Sequence, residues 1–347
     1  MRELKEGVKK NILINFRGGI GDFILLTPLL RNIVESKRYS LYFLGNTSVK
    51  ELVDGYFYFK EKIFINEKRN LFVKFLYLNN KLSEFKNRVK IDFCFSPICS
   101  FGKFVYLISI LSGAPTRIGF KRGFLCRLIY SELSPVYNQV KDLDQNLKIT
   151  SILGIEDKYR DAEIRISEKS ERLVSDFFSA NRINPVDKVL AVAPFAKGVK
   201  GHPSKEWPLG RYDQLLKRIS EKYDIKIIFL GVANELERAK LFVSNKVFFQ
   251  DSAFSIFEAA AIIKRSTLFL SIDNGLMHVA AALNIPIVSL WGPTSPERWG
   301  YLNRDSFVAI WPKVCQCCRV RKGLGDISVD DVLHAVDSYL SKQGKYK

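Results

Sequence analysis

Long apolar runs are missing from this sequence. None approaches the ~18–20 residues that a helix needs to span a bilayer. The longest, Phe104 to Ala114, is short and flanked by Lys103 and Arg117, which marks a core element rather than an anchor. The N-terminal stretch MRELKEGVKKNILINF lacks the apolar run and small-residue cleavage site of a signal peptide. A cytoplasmic protein is therefore expected. Tandem repeats and low-complexity tracts are absent too, which argues against a solenoid or a disordered chain. Acidic residues are scarce, with 36 Asp and Glu against 54 Lys and Arg, a formal net charge of +18. Residues 1–150 hold 25 basic and 13 acidic side chains, and residues 151–347 hold 29 and 23, so the first half carries +12 of that excess. Such a field favours an acidic partner: nucleic acid, an anionic bilayer face, or a phosphorylated or carboxylated acceptor. No basic arm, aromatic platform or nucleic-acid module accompanies it, so nucleic acid is not the expected partner. The cysteines Cys315, Cys317 and Cys318 form C-x-C-C, which lacks the C-x₂-C spacing of a zinc knuckle. Reduced thiols in a loop are expected there, with no metal and no cofactor.

What is present begins with size. A chain of 347 residues, 47% hydrophobic and 26% charged, is expected to form two globular domains. The most informative stretch is Ser266 to Trp299. Thr267 to Ile272 reads as a buried strand, Asp273-Asn274-Gly275 as a polar turn, Gly275 to Leu283 as a short helix, and Ile285 to Leu290 as a second strand. A βαβ unit of this kind belongs to an open parallel sheet, whose ligands sit at the C-terminal ends of the strands. Asn274 and Gly275 put backbone N–H groups at a helix N-terminus, which attracts phosphate or carboxylate. His278 stands one turn up on the same face, and Thr294 follows the next strand at the same edge. The plainer alternative is an Asx cap without any ligand.

Near the start, the strand Asn11 to Asn15 runs into Arg17-Gly18-Gly19-Ile20-Gly21-Asp22 and then a helix. The glycines do not have the G-x-G-x-x-G spacing of a dinucleotide fingerprint, and Asp22 would repel an incoming pyrophosphate. A carboxylate held on a rigid turn at the ligand edge suits a general base, the alternative being a simple helix N-terminal charge. Between these stretches, Tyr56 to Lys90 is rich in Phe, Tyr and Lys. Its aromatics recur at helical spacing and read as core, while its lysines line either a solvated face or one that meets an anionic membrane. The string Asp142-Leu143-Asp144 precedes a helix rather than ending a strand, and is read as chance or capping. The polar region around Ala162 to Asp187, including a solvated helix Glu168 to Asn181, reads as the linker between halves.

Taken together these motifs resemble glycosyltransferase family 9, the group of ADP-heptose:lipopolysaccharide heptosyltransferases. The resemblance runs in order through R-G-G-I-G-D, T-P-L-L-R, T-R-I-G-F, K-E-W-P and the long block D-N-G-L-M-H-V-A-A-A-L-x-x-P-I-V-S-L-W-G-P-T. It implies an α/β GT-B fold, two Rossmann-like domains facing across a cleft. The expected division is an acceptor-binding domain at 1–183, a nucleotide-sugar-binding domain at 184–328, and a C-terminal helix at 329–347 returning to the first domain. By the same resemblance Asp22 is the expected base and Lys205 the cation that neutralises the departing diphosphate. Asp273, Asn274, Gly275, His278 and Thr294 are expected around the donor phosphates, and Glu235 or Glu237 on the ribose. Arg17, Gly19, Arg117, Lys121 and Arg122 are expected on the acceptor side. After the strand ending Ala193-Pro194 the family's small hydroxyl residues are replaced by Phe195-Ala196-Lys197 and a longer loop, so Lys197 or Lys200 is the expected substitute. The resemblance thus implies inverting transfer of a heptose or related sugar from a nucleotide-sugar donor to an anionic glycolipid acceptor, with peripheral contact at the inner membrane leaflet. A different donor sugar, or a non-catalytic nucleotide- or anion-binding protein, are the alternatives.

Overall fold

The computed structural model describes residues 9–66, 70–196, 205–240, 247–248, 254–312 and 323–341, with backbone alone at 71, 72 and 74. The chain divides into two compact units, Met1–Ala162 and Glu163–Lys347.

In the first unit the elements are β1 (Lys10–Asn15), α1 (Ile20–Glu35), β2 (Tyr39–Asn46), α2 (Lys50–Asp54), β3 (Phe59–Ile65), α3 (Leu71–Arg88), β4 (Phe93–Phe95), α4 (Lys103–Leu111), β5 (Thr116–Phe120), α5 (Cys126–Ile129), β6 (Glu132–Ser134), α6 (Asp142–Leu147) and α7 (Ile149–Leu153). The strands form one parallel sheet in the order β3-β2-β1-β4-β5-β6. Residues Ile12 to Asn15 of β1 are all buried, as a central strand covered on both faces requires. Phe16, Phe23, Phe43, Tyr56 and Phe59 pack edge-on or tilted under α1, with ring centroids 5.1–6.4 Å apart. The Phe-rich composition of this half is therefore largely core.

The second unit contains α8 (Glu168–Ala180), β7 (Lys188–Ala193), α9 (Leu209–Lys222), β8 (Ile225–Phe229), α10 (Ala233–Lys240), β9 (Val247–Phe248), α11 (Ile256–Lys264), β10 (Leu268–Ile272), α12 (Gly275–Ala282), β11 (Ile287–Leu290), α13 (Pro296–Trp299), β12 (Phe307–Ile310) and α14 (Val329–Leu340). Its sheet is also parallel, ordered β12-β11-β10-β7-β8-β9. Numbered within the unit, both sheets have the order 3-2-1-4-5-6 of a doubly wound Rossmann fold. The strand order reverses beside the first strand, between β1 and β4 in one unit and between β7 and β10 in the other. Ligands of such sheets bind where the chain leaves these two strands.

Two boundary expectations change. Helix α8 is not a linker: Val174 and Phe178 are buried, α8 packs on α11, and Lys264 pairs with Glu171 at 2.7 Å. The division accordingly falls at Ala162, before the expected 183. The last helix, expected to return to the first domain, packs on the second unit's own sheet and on α9. Its Val332, Val336 and Leu340 join the core that includes Leu215, Leu216 and Ile219. That helix presents an apolar stripe matched to α9, and each such side chain removed from water contributes about 1.5–3 kcal/mol. No described helix is long and apolar enough to cross a membrane.

Candidate active site

In the second unit the site is built around the turn after β10. Asn274 is the N-cap of α12, its Oδ1 accepting from the Met277 N–H at 3.1 Å. Its Nδ2 donates to the carbonyls of Ala193 and Phe195 at 3.1 and 3.2 Å, tying this turn to the end of β7 across the point where the strand order reverses. One side chain thus caps a helix and sets the spacing of two loops. The N–H groups of Gly275 and Leu276 belong to the first helical turn and have no intrahelical acceptor, which is what gives such a turn its affinity for anions.

The K-E-W-P run is distributed over three partners. Lys205 Nζ reaches Asp273 Oδ2 at 3.2 Å, both side chains being mostly buried. Glu206 pairs with Arg238 of α10 at 2.9 Å. Trp207 is fully buried, its Nε1 donating to the Ile327 carbonyl at 3.0 Å. Pro208 then caps α9, where its missing N–H costs nothing. The indole and the helix start anchor the run, and the lysine is delivered to the acidic residue of the β10 turn.

Glu235 and Glu237 separate clearly. Glu235 folds back toward the end of β8, its Oε2 accepting from the Val232 N–H at 3.0 Å. Glu237 is exposed and pairs with Lys240 one turn on. Only Glu235 lies at the ligand edge of the sheet. His278 is buried in α12, its Nδ1 3.0 Å from the Tyr301 hydroxyl. Burial pushes the Tyr301 phenol well above its ordinary value, partly offset by Arg304, so the hydroxyl stays protonated beside the ring. The contact fixes the imidazole's orientation within α12. Thr294 follows β11 at the same edge, with its hydroxyl buried. Lys197, Lys200 and the cysteines 315, 317 and 318 lie outside the described residues.

The first unit has a matching arrangement. Asp22 is the N3 residue of α1 and its Oδ2 accepts from the Gly19 N–H at 2.8 Å, half of a capping box. The Arg17 N–H donates to Ser100 Oγ at 2.7 Å, so the loop after β4 clamps the loop after β1. Arg17 stacks over the Phe104 ring, 5.2 Å from its centroid. Gly18 is required by close approach: a Cβ there would stand 2.7 Å from Asp22 Cβ and 2.9 Å from Cys99 Sγ. Cys99 therefore sits beside the carboxylate. Burial, and then the charge of Asp22, hold its thiol well above the usual range, so it remains a neutral neighbour. Asp142 is also buried and its charge raises the Cys99 thiol to a smaller degree, whereas Asp144 pairs with Arg160 at 2.9 Å. The two acids of D-x-D serve different ends.

Lys121 and Arg122 follow β5 at the same edge as Asp22, Arg122 donating to the Ile98 carbonyl at 3.0 Å. Arg117 does not join them. It is the second residue of β5, at the opposite end of a parallel strand, and its guanidinium holds the carbonyls of Ala114 and Ile129 at 3.0 and 2.6 Å. Its placement on the acceptor side is corrected to a structural role. Gly119 of the same motif is there because a Cβ would stand 2.6 Å from the Tyr130 ring. Ser100, Cys99 and Tyr301 are the residues that motif reading missed. Each meets its partner from a segment distant in sequence.

The family model for glycosyltransferase family 9 (heptosyltransferase) matches residues 107–324. The chain belongs to glycosyltransferase family 9. Within that family it is 29% identical over 199 residues to lipopolysaccharide heptosyltransferase 2 of Salmonella typhimurium, covering 52% of this chain and 54% of that one. The chain spans about half the length of the curated relatives it matches. The family 9 glycosyltransferase of Veillonella parvula superposes with a TM-score of 0.79 at 20% identity over 96% of this chain and 97% of that one. The E. coli heptosyltransferase WaaC with ADP gives 0.70 at 14% identity, covering 95% and 99%. These likenesses establish the GT-B-like pair of Rossmann-like sheets that family 9 members share.

Proposed function

We propose that the chain transfers a heptose or closely related sugar, with inversion, from ADP-heptose to a lipopolysaccharide-core or other cell-surface glycan at the cytoplasmic face of the membrane. In this reading the acceptor hydroxyl attacks the anomeric carbon and gives its proton to Asp22. The bond from that carbon to the β-phosphate oxygen breaks, and the electron pair leaves with ADP. Negative charge develops on the diphosphate, where Lys205, the N–H groups at the start of α12 and the His278 ring stabilise it without a metal. Glu235 holds the ribose, and Lys121 and Arg122 meet the acceptor's anionic groups.

The observation that carries the proposal is the Lys205–Asp273 pair beside an Asn-capped helix start, 3.2 Å between charged atoms. A cation held by a carboxylate, next to orphan N–H groups at the strand-order reversal, is a cradle for a diphosphate. The WaaC structure with ADP supports adenosine as the nucleoside. Thermal shift with ADP, GDP, UDP and CDP tests it. ADP is expected to raise Tm by binding the native state, and a chain indifferent to all four nucleotides refutes the proposal.

A further inference from the structure

Most large apolar side chains of the first unit are buried, but a group on the loops that follow β4 and β5 is not. Phe101 is 58% exposed, Phe124 72%, Leu125 51% and Leu128 66%. Exposed apolar residues scattered singly need no explanation, but a contiguous group does. These are contiguous: β4 and β5 are hydrogen-bonded neighbours, α4 packs on α5, and the Arg122 guanidinium lies over the Phe101 ring at 4.7 Å. The segment is amphipathic. Cys126 is buried and its Sγ donates to the Gly123 carbonyl, fixing Phe124, Leu125 and Leu128 outward.

Cations surround the group. Lys103, Lys121 and Arg127 are exposed, and no carboxylate of the described residues stands within ion-pair distance of them. On α3, whose lysines the sequence left as either a solvated face or one that meets a membrane, Lys81 pairs with Glu84 and Arg88 with Glu61. The loops after β4 and β5 also lie at the same sheet edge as Asp22, so the exposed group borders the proposed acceptor site.

We propose that Phe101, Phe124, Leu125 and Leu128, ringed by Lys103, Lys121 and Arg127, form a seat for an anionic lipid bilayer. Apolar side chains enter the boundary between headgroups and acyl chains while the cations meet anionic headgroups. This deepens the proposed function and rests on it, since a bilayer seated here brings a membrane-anchored glycan to the edge that carries Asp22. A bilayer is favoured over a protein partner because a ring of unneutralised positive charge around apolar tips matches an anionic interface.

The test is co-sedimentation of the full chain with vesicles of phosphatidylethanolamine and phosphatidylglycerol, and with phosphatidylcholine alone. Binding is expected to the anionic vesicles and to weaken with added salt. The double variant Phe124→Ser/Leu128→Ser is expected to bind about tenfold or more weakly, and Arg127→Gln severalfold, with the ADP-induced rise in Tm unchanged in each. Should the double variant fail to fold, Phe101→Ser on the neighbouring loop provides the same reading. Wild-type protein remaining in the supernatant, or variants that bind as wild type does, overturns the seat. A wild-type dimer without vesicles that the double variant breaks also overturns it, in favour of an interface between copies. Loss of the ADP response with vesicle binding intact refutes the donor reading and leaves the seat standing.

Discussion

Lys205 and Asp273, 68 positions apart, meet at 3.2 Å between Nζ and Oδ2, each largely withdrawn from solvent. The carboxylate holds the ammonium at the mouth of the α12 turn before any ligand arrives, which is the preorganisation that charge stabilisation requires. Lys205→Ala is expected to lower kcat/KM for sugar transfer by about 100-fold or more. Steady-state kinetics with the donor varied is the measurement, and an unchanged kcat/KM removes Lys205 from the site.

Asp22 is fixed by its bond from the Gly19 N–H. Asp22→Asn keeps the shape and a hydrogen-bond acceptor but removes the proposed base. Transfer is expected to fall by about 10²–10⁴-fold, while the ADP thermal shift is retained. Equal loss of both places the residue in binding or folding rather than proton transfer.

Gly18→Ala tests the crowding around that carboxylate. The new methyl would press on Asp22 and Cys99 at 2.7–2.9 Å. If Asp22 acts as proposed, displacing it by ~1 Å is enough for about 100-fold in rate, so kcat is expected to drop with little change in donor KM. Near-wild-type kcat would show that the turn relaxes without moving the base.

Tyr301→Phe removes the hydroxyl that meets His278 Nδ1 and orients its ring. One buried hydrogen bond is worth about 0.5–1.5 kcal/mol, so donor affinity is expected to weaken by about threefold to tenfold. An affinity equal to wild type would leave His278 without a ligand role.

Burial raises the Cys94 thiol from 9.0 to about 11. A group whose native pKa is raised contributes stability that is complete below the unfolded value and is lost as pH rises through the native one. Tm is therefore expected to decline between pH 9 and 11, with on the order of 2–3 kcal/mol attached to this thiol. Cys94→Ala is expected to flatten that part of the profile, and scanning calorimetry across the range checks it.

The β10 turn and the alternation of strands and helices were legible because Asp-Asn-Gly followed by an Ala-rich run has few other solutions. The roles of Lys205 and Glu235 came from resemblance, and the structure supplied what local patterns do not carry. Lys205 finds its partner across 68 positions, and Tyr301 reaches His278 from beyond the next strand. Glu235 and Glu237 read alike in N-E-L-E-R, yet only the first curls toward the sheet edge, because it occupies the first turn of α10. Arg117 looked like an acceptor contact by its motif. Strand direction held the opposite signal, since an arginine at the start of a parallel strand lies at the wrong end. Helix α8 reads as a linker in composition because its polar face dominates, whereas two buried residues, Val174 and Phe178, suffice to dock it.

The docking of α14 has a bearing on synthesis. Every strand of the first sheet lies before residue 162, so that half is free to close while the second is still being translated. The second half has no such liberty: Val332, Val336 and Leu340 cover apolar surface laid down a hundred or more residues earlier by α9. Until the last dozen codons of that helix are read, the second half emerges with one flank bare, and a premature stop there is expected to yield a chain for chaperones and proteases rather than a slower enzyme.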